Sequence, residues 1–442
     1  MNTNDNNRIG MLRSGIAAWA GYDFINSLLI INGSLYFSAW ITQDQGVNQF
    51  WYGFTYVIST LLLLAILPIK GAVLDRFRTG REILFVLSVI LAVAAFCLPG
   101  IANRQDDSLR IVLALGVFGV INFAYQASLV SYNWTLVHLR GVNNIADVRR
   151  VSGLGEAAGS LGSVVGVGLG LLLLELAQTP GSSAVWHVAE NSERISIFFP
   201  LSIIFLVLVV VDFWFLGQGC RTQTSGVTND KSYRELLVES IALIKNTPSL
   251  RRFLLSFLFF ADGLLTVQLY LPVYMRDQLH LPDSDVAKMF VLALLAGAAG
   301  ASIFAKYGRN RDTRRTLLVS LWGWIPTLFA FAFIVNIYAF AILMVWCGLL
   351  YGVVWSSARA YLIELTPEHV LGRTFSFYAV FDRSASILGP LIWGGIMFLP
   401  IAHAPNRYIF AFVAMSLMVL VGIFLLLGTG KVQDANVNAT HQ

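Results

Sequence analysis

Charge is the scarcest commodity in this sequence. Of its 442 residues 12% are Asp, Glu, Lys or Arg and 57% are apolar, where an ordinary soluble domain carries about 25% charged and about 45–50% apolar residues. A chain so poor in charge cannot clothe a water-facing surface, and a mean hydropathy of +0.69 places it in a bilayer. Cysteine is nearly absent too. Cys97, Cys220 and Cys347 are odd in number and scattered, which argues against a disulfide framework and against a thiolate metal site. The motifs of soluble catalysis are missing as well. There is no Gly-xxxx-Gly-Lys-Ser/Thr loop for nucleotide phosphates, no His-Glu-xx-His pair for a metal and no Gly-x-Ser-x-Gly elbow, and the six histidines are dispersed at 138, 187, 280, 369, 403 and 442. No enzyme activity, cofactor or metal is therefore expected. The net charge of +5 does not point to nucleic acid, because membrane proteins gather Lys and Arg in cytoplasmic loops for reasons of topology.

What the chain has is long apolar runs. A hydrocarbon core of about 30 Å takes about 20 residues of helix to cross, and only backbone that closes its own hydrogen bonds survives there. The runs predict twelve transmembrane helices over 15–39, 51–70, 83–103, 109–138, 151–177, 195–217, 251–275, 285–306, 316–336, 338–363, 373–399 and 406–428. The expected fold is thus an all-α integral membrane protein of two six-helix bundles, 1–217 and 251–442, joined by a polar linker over 218–250. Within that linker, Tyr233, Leu236, Leu237, Ile241 and Ile244 recur at helical spacing and predict an amphipathic helix on the membrane face or a structured tie. The first run is too long for a cleavable signal and no small-residue cleavage site follows it, so it is expected to stay. With alternate loops assigned to opposite sides, 22 of the 30 Lys and Arg fall on the side of the N-terminus and six on the other. Both termini are expected in the cytoplasm.

An internal repeat relates the halves. Asp23 precedes Tyr36 by thirteen residues and Asp262 precedes Tyr274 by twelve, while a constant offset carries Tyr125, Asn133 and Leu139 to Tyr351, Arg359 and Leu365. Candidate ionisable groups at membrane depth are Asp23, Glu156, Asp262, Arg359, Asp382 and Arg383. Each costs about 2.5–3.5 kcal/mol at mid-membrane unless it faces a partner or water. Trp19, Asp23, Asn26, Gly33 and Phe37 share one stripe of the first helix, Asn122, Gln126 and Asn133 one of the fourth, Asp262, Thr266 and Tyr270 one of the seventh, and Gly348, Gly352, Trp355 and Arg359 one of the tenth. These stripes are expected either to line a solute pathway or to glue helices together. Asp382 and Arg383 are adjacent, so both cannot point into one cavity, and Arg383 is the expected one. With four such acids against two cations, proton coupling is expected through Asp23, Glu156 or Asp262. Small residues form ridges at Gly155, Gly159 and Ser163, at Gly162, Gly166 and Gly170, and at Gly297 and Ala301, for static packing or sliding contact. Gly389-Pro390 predicts a bend in the eleventh helix, fixed or hinged.

The run from Ala18 to Ser27, Ala-Trp-Ala-Gly-Tyr-Asp-Phe-Ile-Asn-Ser, resembles the opening motif of the vacuole-effluxer-like branch of the major facilitator superfamily, which includes fungal vacuolar amino-acid exporters. The likeness continues through Arg150 to Gly155, Asp262-Gly263, Arg359, and Gly372-Arg373 to Gly389-Pro390. Gly71, Asp75 and Arg76 fit the superfamily's inner gating loop, with Gly80-Arg81 two residues late; Lys306 stands where the second such loop has an Asp, and Glu156 where the branch more often has an apolar residue. The resemblance implies a rocker-type carrier whose cavity is walled by helices 1, 4, 7 and 10. The expectation is a monomeric secondary transporter in a bacterial cytoplasmic membrane, its partners a small solute, protons and the lipid bilayer. Arg359 and Arg383 suit a carboxylate or phosphate, so an amino acid or another small zwitterionic or anionic metabolite is the expected solute. A receptor or scaffold on the same fold, and a lipid transporter, are the competing expectations.

Overall fold

Helix is the structure this composition forces, and every regular element among the described residues is helical. The computed structural model describes residues 3–77, 80–137, 139, 145–179, 192–219, 246–307, 312–366, 381–399 and 407–429, the side chains of 3–14, 67–79, 134, 137, 145–150, 152 and 217–219 excepted. Helix α1 spans Thr3–Asn32 and continues through two π-helical stretches, Gly33–Phe37 and Trp40–Asp44. There follow α2 (Gln49–Phe77), α3 (Gly80–Ala102), α4 (Asp107–Val137), α5 (Ile145–Gln178) and, after the single turn Glu193–Ser196, α6 (Phe198–Gly219). The second half holds α7 (Pro248–Asp277), α8 (Asp283–Tyr307), α9 (Thr313–Phe333), α10 (Ile337–Glu364), α11 (Leu388–Phe398) and α12 (Arg407–Leu427). Eleven of the helices are long and apolar enough to cross a bilayer. Val112, Leu161, Trp214, Val319, Ile342 and Phe424 on their outer faces are exposed, as lipid-facing side chains are.

Three boundaries differ from expectation. Helix α1 begins at Thr3 rather than 15, and α2 runs on to Phe77 rather than stopping at 70, because a helix does not end where its apolar stretch does. Gly71, Asp75 and Arg76 therefore sit in the last turns of α2, not in a loop. The expected single helix over 373–399 is broken at 385–387, and α11 keeps only 11 residues. Residues 220–245, with nearly all of the linker helix, and Gly372-Arg373 lie outside the described residues.

The chain forms two compact units: unit 1 is Met1–Val47 with Ala65–Asp230, and unit 2 is Asn48–Leu64 with Lys231–Gln442. In unit 1, α1 packs along α5 and α6, and α3 along α4 and α6. In unit 2, α8 packs along α10, α7 along α12, and α9 along α10 and α12. The close pairs are made by glycine. On α5, a Cβ at Gly162 would stand 2.1 Å from the Phe24 carbonyl oxygen, and one at Gly166 2.4 Å from that of Leu28. On α8 and α10, a Cβ at Gly300 would stand 2.2 Å from the Leu349 oxygen, and one at Gly352 2.0 Å from that of Gly297. The ridges are thus backbone-to-backbone seams inside a unit.

The π turn at Gly33–Phe37 explains an irregularity of the repeat. A π turn carries one residue more than an α turn, and Tyr36 follows Asp23 by one residue more than Tyr274 follows Asp262. The inserted residue is absorbed locally, so that both tyrosines end up buried, at 0% and 1% exposure.

Candidate functional site

In unit 1 the opening motif of α1 is chiefly a packing device. The Trp19 indole N–H donates to the Tyr132 carbonyl oxygen at 3.0 Å, and its ring stacks on that of Tyr132 with centroids 4.1 Å apart. The pair fills the notch left by Gly155, and the Tyr22 hydroxyl meets that of Ser88 at 3.0 Å. The polar stripe of α1 divides between two neighbours. Asp23 and Ser27 face α5, where a Cβ at Gly159 would lie 2.7 Å from Asp23 Oδ2 and 3.2 Å from Ser27 Oγ. Gly33 faces Phe118 of α4 and Trp19 faces Tyr132, so the stripe meets α4 on either side of Asn26. The stripe is wide enough to straddle both contacts.

Burial separates the expected residues. Asn26, Asn122 and Gln126 are at most 2% exposed, Asp23 is half-buried, and Glu156 and Asn133 are exposed. The Asn122 amide donates to the Phe118 carbonyl oxygen at 3.3 Å, whereas neither polar atom of the Asn26 amide has a partner among the described residues. Arg81 pairs with its neighbour Glu82 at 3.3 Å.

In unit 2 the seventh-helix acid is fully committed. Asp262 is completely buried; its Oδ2 accepts the Leu388 N–H at 2.9 Å and its Oδ1 the Gly389 N–H at 3.0 Å, with the Thr266 hydroxyl 3.4 Å from Oδ1. These amides open α11, where a helix start leaves its first donors unsatisfied. The next residue, Pro390, has no N–H to satisfy. Asp262 therefore caps the broken helix from another helix, and Gly389 is required for the approach, since a Cβ there would stand 2.0 Å from Thr266 Oγ1. Tyr270 is buried, its ring stacked on Trp393 at 5.1 Å. Trp355 and Arg359 are half-buried one turn apart on α10, and the Trp355 N–H is without a partner among the described residues. Arg383 bonds Asp382 at 2.5 Å, both half-buried, so these neighbours neutralise each other at the break.

Two features were not anticipated. Asp212, the one acid in the apolar run of α6, is 8% exposed and lies against Gly21. A lone charge within a predicted span was the available signal. The other is Gln49, at the start of α2 and packed in unit 2. Its amide N–H donates to the Tyr408 hydroxyl at 2.6 Å and its Oε1 accepts the Trp393 indole N–H at 3.2 Å. The Tyr408 hydroxyl in turn donates to Asp277 at 2.5 Å, and Asp277 also binds Arg407. Gln49 stands at a helix end, where polarity excites no notice.

The described residues hold no group of three His, Cys, Asp or Glu that would suit a metal. Among relatives, a protein of Aquifex aeolicus is 22% identical over 93% of this chain and 96% of its own length. The MFS-type transporter YxiO of Bacillus subtilis is 22% identical over 85% of this chain and 86% of its own. Autophagy-related protein 22 of Yarrowia lipolytica is 25% identical over 40% of this chain and 31% of its own length, which supports the vacuole-effluxer-like resemblance. In fold, the chain is similar to a mutant form of the nucleoside transporter NupG, with a TM-score of 0.70 at 14% identity over 94% of this chain and all of that one. It is also similar to a bacterial homologue of the lysosomal transporter Spinster, at 0.67 and 12% over 96% and 97%. The Major Facilitator Superfamily profile matches residues 24–390 and 310–442, and the chain belongs to that family of multi-pass membrane transporters rather than to any class of enzyme.

Proposed function

We propose that the protein is a proton-coupled secondary transporter that moves a small zwitterionic or anionic metabolite, such as an amino acid, by alternating access. The observation that carries this reading is the unequal use of two repeat-related acids: Asp262 is spent on capping α11, while Asp23 stands half-buried and off any helix terminus. Asp23 is thereby the coupling residue, with the exposed Glu156 one turn before Gly159 as its relay to water. Asn26, Asn122 and Gln126 in unit 1, and Thr266, Trp355, Arg359 and Arg383 in unit 2, serve the solute, the guanidiniums taking its carboxylate. Gly71, Asp75, Arg76 and Arg81 form the gating segment. Twelve spans, α11 and the short helical stretch before it making the twelfth, put both termini in the cytoplasm of a bacterial cell.

A thermal-shift screen of amino acids, nucleosides and carboxylates at acidic and alkaline pH identifies the solute, since a ligand bound by the folded state raises its melting temperature. In proteoliposomes loaded with that solute, a pH gradient should drive accumulation by the wild type. Asp23→Asn is expected to exchange solute but not to accumulate it. Full gradient-driven accumulation by Asp23→Asn overturns the coupling assignment, and the absence of any flux favours a scaffold.

A further inference from the structure

The seam between the first and last helices of each unit is built with opposite chemistry. In unit 2 no acid enters the notch: Gly422 of α12 receives Phe260 of α7, whose Cβ would lie 2.9 Å from a Cβ at 422. In unit 1 sizes and polarity are exchanged. The step that carries Asp23 to Asp262 carries Gly21 to Phe260, and the notch at Gly21 is filled by a carboxylate, Asp212 Oδ1 standing 2.8 Å from where a Cβ would be. Packing does not ask for an acid here, because the notch at Gly422 closes on the Cβ and backbone of Phe260 and the Ser256 carbonyl oxygen, with no carboxylate in it.

Asp212 is also poorly compensated. Its Oδ2 is buried and accepts no hydrogen bond among the described residues, and none of the ion pairs there involves it. Tyr22 on α1 and Tyr132 on α4 lie within range of the Asp212 charge; Asp23 on α1 acts on the same two tyrosines and Glu156 on α5 on Tyr132, while Arg81 and Glu82 at the start of α3 pair with each other. Tyr22 is turned to Ser88, and Asp23 to Gly159. Asp212 is the only titratable side chain described on α6. Among apolar neighbours such as Leu84, Phe213 and Leu216, an ionised carboxylate without a cation or a donor is costly, and its neutral acid is not.

We infer that Asp212 is a proton-binding site of unit 1, separate from Asp23, which holds a proton while the seam between α1 and α6 is closed and yields it to water when the seam is wetted. The exchange is complete in itself: the carboxyl O–H breaks, water accepts the proton, and the carboxylate remains. Gly21 sets the site by leaving room for the oxygen.

Infrared difference spectra between acidic and alkaline pH test this on the purified full-length protein in lipid vesicles without solute. The wild type should show a protonated-carboxyl C=O band that is lost in Asp212→Asn and kept in Asp23→Asn. Identical carboxyl bands in wild type and Asp212→Asn overturn the proposal. Should Asp212→Asn not fold, Gly21→Ala leaves the acid in place but crowds Oδ1. It is expected to shift both the band and the pH at which it vanishes, and an unchanged titration overturns the proposal equally. With no solute present, loss of this band bears on Asp212 alone and leaves the transport reading to its own test.

Discussion

The two units carry repeat-related residues, Asp23 and Ser27 against Asp262 and Thr266, yet they solve the same seam differently. In unit 1, α5 is continuous, and its glycines let α1 lie backbone against backbone, with Asp23 and Ser27 beside Gly159. In unit 2 the matching acid and hydroxyl, Asp262 and Thr266, stand beside Gly389, but the helix that carries the glycine is broken and its new N-terminus is closed by the acid. A shared layout of acid, hydroxyl and glycine thus places a half-buried carboxylate along an unbroken helix in one unit and a helix cap in the other. Position in a repeat does not settle a residue's role; the state of the facing backbone does.

The sharpest way to break this contrast is to remove each acid in turn. Asp262→Ala strands two amides in an apolar interior at about 1–3 kcal/mol each, so a loss of about 3 kcal/mol or more is expected in detergent unfolding. Asp262→Asn, which keeps one acceptor oxygen, should fall between it and the wild type. Asp23→Ala removes no helix cap and should cost clearly less than Asp262→Ala. Equal losses for Asp23→Ala and Asp262→Ala contradict the contrast.

These two acids also show what is legible in sequence. Both stand out, because a charge in an apolar run is rare and the bilayer makes its presence expensive. The all-helical, multi-pass character of the chain is legible for the same reason. The cap is not, since it joins residues 126 apart in the chain; Gly389-Pro390 announces a bend without saying what closes it. The π turn left only a one-residue mismatch between the Asp23-Tyr36 and Asp262-Tyr274 spacings, which reads as noise until the backbone is seen. Polar stripes at helical spacing led to Asn26, Asn122 and Gln126, and the structure buries all three against neighbouring helices. Periodicity tells which residues share a face, not what that face meets. Asp212 stands out in sequence only as a lone acid in the apolar run of α6; that it is buried against Gly21 joins residues 191 apart in the chain.

A second contrast is one of size. If the seams are interchangeable in shape, Gly21→Phe alone should clash with Asp212 and destabilise strongly, and adding Asp212→Gly should recover part of the loss by recreating the pairing of Phe260 with Gly422. Coupling between residues in contact is about 0.5–3 kcal/mol. A double variant no more stable than Gly21→Phe shows that the two seams differ in backbone spacing as well as in side chains.

The smallest effect separates the seams by pH. In unit 2 the Ser256 hydroxyl, fully buried, donates to the Gly422 carbonyl oxygen at 2.6 Å and ties α7 to α12; the repeat position in unit 1 is Ala17. Hydrogen bonds between membrane helices average about 0.6 kcal/mol in double-mutant cycles, so Ser256→Ala should lower stability by about that much. A hydroxyl and a carbonyl carry no titrating charge, and the loss is therefore expected to be the same at acidic and alkaline pH. The effect of Asp212→Asn on the sister seam should change with pH, because asparagine resembles only the protonated acid. Melting curves of both variants across one pH series decide the matter. A pH-dependent cost for Ser256→Ala, or a constant one for Asp212→Asn, places the titrating group somewhere other than the α1–α6 seam.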